Sequence, residues 1–123
     1  MRAVVVWIHD PPASPNARPK KLRERMAMAK AERERAMACC YMVRNRDRAA
    51  PFYSGTVEFE VHRNRLLDYD NLVSSLKHMQ DGVCQAFLPA GDGPTAPYRW
   101  RYSQVQVKKA LPQGVKVRIF ASE

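Results

Sequence analysis

The sequence predicts an α+β fold: one domain over residues 1–123, a mixed sheet backed by helices, with elements in the order β-α-β-α-β-β. Three observations lead there. Thr56 to His62 alternates apolar and polar residues with period two, the pattern of a strand with one wet face. Leu72, Leu76, Met79, Val83 and Phe87 recur at helical spacing, the stripe of a helix packed on a sheet. At 123 residues, 46% hydrophobic and 27% charged, the chain suits a single core.

Residues 2–8 carry the apolar run of a first strand. Pro11, Pro12, Pro15 and Pro19 then enforce an extended segment, since each fixes φ and lacks an amide donor. Lys20 to Met42 is built from Ala, Met, Arg, Glu and Lys, all good helix formers. Leu22, Met26, Ala29, Met37 and Cys40 give this helix a stripe that Arg33 interrupts, so it is expected to be half buried. Arg44 to Arg48 reads as a polar loop, and Pro51 blocks further helix. The second strand is Thr56–His62 and the second helix spans Asn71–Phe87. Leu88 to Pro97 holds three prolines and two glycines and is expected to be a loop. Tyr98–Val107 and Val115–Phe120 are the last two strands, joined around Pro112-Gln113-Gly114.

No apolar run approaches the roughly 20 residues of a membrane span, and the opening strand lacks the small-residue cleavage site of a signal peptide. No membrane partner is expected. Cys39, Cys40 and Cys84 are odd in number and show no C-x-x-C, while His9, His62 and His78 lie far apart. Zinc is not indicated, and the thiols suggest a reducing, cytoplasmic compartment, with the cysteines acting as small buried apolar residues.

The formal charge is +9, from 21 Lys and Arg against 12 Asp and Glu, which favours a polyanion partner. From Arg18 to Arg48 eleven basic residues face four acidic ones. Arg18, Lys20, Lys21, Arg23 and Arg25 head this segment; Arg65, Arg99 and Arg101 belong to a second group. Arginine forks match phosphate oxygens, so both groups are candidate DNA contacts. The plainer reading is a solvated helix face with ion pairs at i,i+4 spacing.

The acidic residues concentrate elsewhere. In Arg65-Leu66-Leu67-Asp68-Tyr69-Asp70-Asn71-Leu72 an extended chain would point Asp68 and Asp70 to one side, with Cα atoms about 6–7 Å apart, close enough to share a hard divalent cation. On a straight helix Ser74, Lys77 and Asp81 would follow Asp70 along one polar line. The alternative is simple: Asp70 or Asn71 caps the helix, and Lys77 with Asp81 forms an exposed pair.

Leu67-Asp68-Tyr69-Asp70-Asn71-Leu72, then Leu76-Lys77, then Asp81-Gly82-Val83, resembles the core motif of RusA-like endodeoxyribonucleases, the Holliday-junction resolvases of bacteria and their phages. Trp100 to Val105 followed by Val115 to Ile119 resembles the terminal hairpin of phage members. The match covers about residues 56–120. The resemblance implies a homodimer, Mg²⁺-dependent incision of branched DNA, and a bacterial or phage-infected cell. It places the first two catalytic aspartates at Asp68 and Asp70. The third falls in Ala90-Gly91-Asp92-Gly93, where Asp92 stands alone instead of beside a second acid. Ser74 stands where the best-known members carry lysine, and Lys77 takes that place one turn later. Asp68, Asp70 and Asp92 are thus the expected Mg²⁺ ligands, with Lys77 orienting phosphate. The alternative on the same fold is a non-catalytic DNA-binding protein with a decayed metal site. Tyr98, Trp100 and Tyr102 line one strand face, either to stack on bases or, more simply, as core or dimer contacts.

Overall fold

The computed structural model describes residues 2–121 and has the expected α+β class. Its elements are β1 (Ala3–His9), α1 (Leu22–Asp47), β2 (Gly55–Arg63), α2 (Tyr69–Ser75), α3 (Lys77–Phe87), β3 (Tyr98–Gln106) and β4 (Gly114–Ala121), with a short 3₁₀ turn at Pro15–Ala17. The strands form one mixed sheet in the order β1-β4-β2-β3. β4 is antiparallel to both of its neighbours, and β2 and β3 run parallel. The last two strands are therefore not the hairpin expected from the sequence. β2 lies between them, because a parallel β2–β3 pair needs a crossover and the α2–α3 segment supplies it.

The register puts Val4, Ile119, Val57 and Trp100 in one row, and Val6, Val117, Phe59 and Tyr102 in the next. These rows face the helices. They pack with Ala36, Cys39, Cys40 and Val43 of α1 and Met79, Val83, Ala86 and Phe87 of α3 in one core. Phe59 stacks against both Trp100 and Tyr102, with centroids 6.1 and 5.8 Å away. Such pairs are worth about 0.5–1.5 kcal/mol beyond their burial. Of the aromatic strand face, Tyr98 is buried, and Trp100 and Tyr102 are half-buried against the core. α3 lies close on α1 because Gly82 has no side chain: a Cβ there would fall 2.4 Å from the Arg33 carbonyl oxygen.

Two helix expectations are corrected. α1 runs on through Arg44–Asp47 instead of ending in a loop, and stops at Arg48 in the left-handed conformation (φ 50°). Arg44 and Arg46 sit in its last turn, where positive charge complements the helix dipole, and Arg44 donates to the Ala86 carbonyl at 2.9 Å. Its other end differs too. Leu22 and Met26 are 62% and 63% exposed, so the buried face starts only at Glu32. The second helix is two helices, broken at Leu76 (φ −88°, ψ −6°). The Ser75 hydroxyl bonds back to the Leu72 carbonyl at 2.7 Å, and the Leu76 amide reaches Val73 in a tightened last turn. Leu72 and Leu76, four residues apart, both enter the core.

A buried polar cluster fastens the proline-rich segment. Glu32 accepts from Arg18 at 2.7 Å and from the Ala13 amide at 2.8 Å. Arg18 also reaches the Ala13 and Ser75 carbonyls, and Arg63, itself buried, donates to the Pro12 carbonyl. Burial pulls the Arg63 pKa down, and the Glu32 charge opposes that shift. Among the described residues no helix is long and apolar enough to cross a membrane.

Candidate functional site

The Asp68–Asp70 segment is placed by β3. The Gln104 side chain accepts from the Leu67 amide at 3.0 Å and donates to the Leu67 carbonyl, gripping the chain just before α2. Asp68 is the N-cap residue, extended at φ −60° and ψ 152°, yet its carboxylate makes no capping bond. Asp70 lies in the first helical turn. Both are exposed. The extended geometry expected for this pair holds only through Asp68, because α2 begins at Tyr69 and turns Asp70 with it.

Tyr69 leans on a cavity of about 510 Å³ beside β3, shared with Trp100, Arg101, Tyr102 and Ser103. The Tyr102 hydroxyl donates to Gln80 at 2.6 Å, and the Gln80 amide contacts the Asp92 carboxylate at 3.4 Å. Burial pushes the Tyr102 phenol up to about 12; Tyr69 and Asp92 push the same way, and the Gln80 bond opposes them. Asp92 stands next to Asp81 of α3. The Asp81 carboxyl is raised above the usual aspartate range, first by partial burial and then by the charge of Asp92 and a hydrogen bond to it. The Cys84 thiol is raised to about 12 by burial, then by Asp92 and Asp81.

The acids therefore gather differently from the sequence expectation. Asp92 joins Asp81, and Asp68 with Asp70 stays at the start of α2. Among the described residues no three of His, Cys, Asp and Glu converge as a metal cage, so Asp68, Asp70 and Asp92 are not one cluster. Mg²⁺ asks for less: one or two carboxylates, with water and substrate phosphate completing the shell. Asp81 and Asp92 are a pair of neighbouring carboxylates, the Asp92 charge adding to burial in raising the Asp81 pKa.

The polar line from Asp70 to Asp81 is broken by the Leu76 kink. Ser74 opens on a groove with Asn16, Arg18, Lys20 and Arg25, whereas Lys77 and Asp81 share another with Met26, Lys30, Arg33 and His78. Lys77 is exposed and close enough to pull the Asp81 pKa down, partly offsetting its rise. Of the expected DNA contacts, Lys20, Lys21, Arg23, Arg25, Arg65, Arg99 and Arg101 are exposed. Arg18 is not free: its side chain is 12% exposed and ion-paired to Glu32. Gln80 and Gln104 had no sequence signal as site residues, and Tyr102 was read only as a stacking or core aromatic, because its bond to Gln80 and the Gln104 grip on Leu67 depend on where β3 lies in the sheet.

No protein-family model matches the chain, and no curated protein matches it.

Proposed function

We propose that this chain is a Mg²⁺-dependent endonuclease of branched DNA, of the RusA-like kind, acting as a homodimer in the cytoplasm of a bacterial or phage-infected cell. The observation that carries the reading is the approach of Asp92 to Asp81 beside the Tyr102–Gln80 pair, with the exposed Asp68 and Asp70 at the start of α2, in a chain of net charge +9. Asp81 with Asp92, and Asp68 with Asp70, are the carboxylates that would hold the ion. When bound, Mg²⁺ supplies a water of lowered pKa and neutralises charge on the phosphoryl group in flight.

The chain's own residues position the substrate. Lys20, Lys21, Arg23 and Arg25 grip the phosphates of one arm, and Arg65 serves a second contact. Lys77, beside Asp81, orients the phosphate. Gln80 holds Asp92 against Tyr102, and Gln104 fixes Asp68 through Leu67. Two protomers related by a two-fold axis would present two such sites to a four-way junction.

A synthetic four-way DNA junction tests the reading. Nicks in Mg²⁺ and none in excess chelator support it; full cleavage in chelator refutes the metal mechanism. The second reading is a DNA-binding protein without cleavage, favoured by the absence of a three-carboxylate cluster among the described residues. Junction binding without nicks in Mg²⁺ selects it.

A further inference from the structure

We propose that the cavity at the end of β2, lined by Arg63, Arg65 and Lys109, is a binding site for a phosphate group. The site is independent of the carboxylates and of cleavage. It starts from a buried guanidinium that has no counter-ion in contact.

Arg63 is the last residue of β2 and is 8% exposed. Arginine is almost never buried to this degree unless it is paired. Among the described residues no carboxylate lies within ion-pair distance of it. Arg63 senses the charge of Glu32, but Glu32 is in contact with Arg18 instead, at 2.7 Å. Two guanidinium groups thus share one buried carboxylate, and one positive charge is left over. Burial pulls the Arg63 pKa down, a cost that a bound anion offsets.

The Pro12 carbonyl accepts from Nη2 of Arg63, and no other hydrogen bond engages this guanidinium among the described residues. Its Nε and Nη1 are nevertheless not sealed off. The fully buried side-chain nitrogens without a partner, among the described residues, are Arg18 Nη1 and Arg35 Nε. The remaining N–H groups of Arg63 therefore meet solvent, and the space this residue lines is a cavity of about 330 Å³.

Pro11, Arg63, Asn64, Arg65, Lys109 and Gln113 line that cavity. Three of them carry a positive charge and none a negative one. Asp10, next to Pro11 in sequence, is not part of the lining. Hydrogen bonds fix the frame. The Val107 amide donates to the Arg63 carbonyl at 2.8 Å, and Asn64 Nδ2 donates to the Val107 carbonyl at 3.3 Å. Gln113 Oε1 accepts from the Asn64 amide at 3.1 Å, which leaves its Nε2 group as a further donor. Arg65 and Lys109 are exposed and make no ion pair among the described residues. A held guanidinium fork, two movable cations and a side-chain amide converge with no acid to compete. Phosphate has enough oxygens to engage the fork and both cations at once.

Inorganic phosphate is the probe, added to the full chain without DNA or Mg²⁺ and balanced with sodium chloride at constant ionic strength. The Nε–H resonance of Arg63 in ¹H–¹⁵N spectra should shift and saturate. Arg65→Gln and Lys109→Gln change exposed side chains and keep the fold. Each removes one charge-assisted contact and should weaken phosphate about tenfold. Lys20→Gln, outside the cavity, should leave the affinity unchanged. A shift of Arg63 that never saturates, or equal affinity in the parent and both cavity variants, would overturn the proposal. Competition then separates the sources of the group. A DNA strand with hydroxyl ends that displaces inorganic phosphate makes the ligand a backbone phosphodiester. Displacement only by the same strand carrying a 5′-phosphate makes it a terminal monoester, and displacement by neither makes it a small phosphate compound. A junction that is never nicked removes the nuclease reading and leaves this site standing. Phosphate binding that ignores Arg65 and Lys109 removes the site and leaves the nuclease reading untouched.

Discussion

Glu32→Ala is the most informative perturbation of the fold. Glu32 is a buried carboxylate on α1, with a side chain 4% exposed, and it faces two guanidinium groups, Arg18 in contact and Arg63 near enough to feel its charge. Truncation leaves Arg18 buried without a counter-charge and removes the acceptor for the Ala13 amide at 2.8 Å. Breaking one side of a buried pair costs about 3–5 kcal/mol, a large part of the 5–15 kcal/mol that hold a domain together. For a chain of this length that is a fall of about 10–20 °C in Tm. Glu32→Gln keeps an oxygen for the Ala13 amide and removes only the charge, so its loss should be smaller. Urea unfolding of the two variants and the parent, at equal ionic strength, gives both numbers. A Glu32→Ala loss under about 1 kcal/mol would refute the reasoning, because the Arg18–Glu32 contact would then not be what fastens residues 11–19 to α1.

Three further outcomes are expected. Asp81 has a raised folded-state pKa, so its contribution to stability is fully present below the ordinary 3.8 and is lost as pH rises through the folded value. Asp81→Asn should therefore raise Tm at pH 7 and give no gain near pH 3, and added Mg²⁺ should stabilise the parent more than the variant; an equal gain at both pH values contradicts the raised Asp81 pKa, whether from burial or from Asp92. Gly82→Val forces a side chain against the α1 backbone and should cost about 1–3 kcal/mol by denaturant unfolding, whereas a neutral result would mean that α3 does not need this close approach. Charge reversal at Lys20, Lys21 and Arg23 should flatten the salt dependence of DNA binding, while Arg18→Gln should change it little at equal fold stability, since Arg18 is already spent on Glu32.

The strands were readable because one face is wet: Val57, Phe59 and Val61 alternate with Thr56, Glu58 and Glu60, and only one register buries the first set. The stripe of α3 was readable for the same reason. The break at Leu76 was not, because Leu72, Leu76 and Met79 keep helical spacing straight through it and the Ser75 bond back to the Leu72 carbonyl leaves no periodic signal. The placement of β3 was hidden in another way: adjacency in sequence suggests a hairpin with β4, and only the sheet order shows β2 between them. At the candidate site, Asp68 and Asp70 were legible as a spaced pair. The meeting of Asp92 with Asp81 depends on how the Leu88–Pro97 loop folds back over α3, which no local pattern encodes. Arg18 reads as one more cation of a basic run, and only the approach of Glu32 sets it apart.

The strand order bears on how the chain comes into being. β4, the last of the four strands in chain order, sits in the interior of the sheet and bonds to both β1 and β2. Ala3 cannot find its partner Phe120 until the 116 residues between them have been made. Until then β1 has no neighbour, and Val4, Val6 and Ile8 have only helices to shelter against. Such long-range pairing folds slowly and leaves apolar strands open to aggregation on the way. A nonsense mutation before Gly114 would thus remove the strand that joins the two edges, leaving the β2–β3 pair and a stranded N-terminal ribbon for proteolytic clearance.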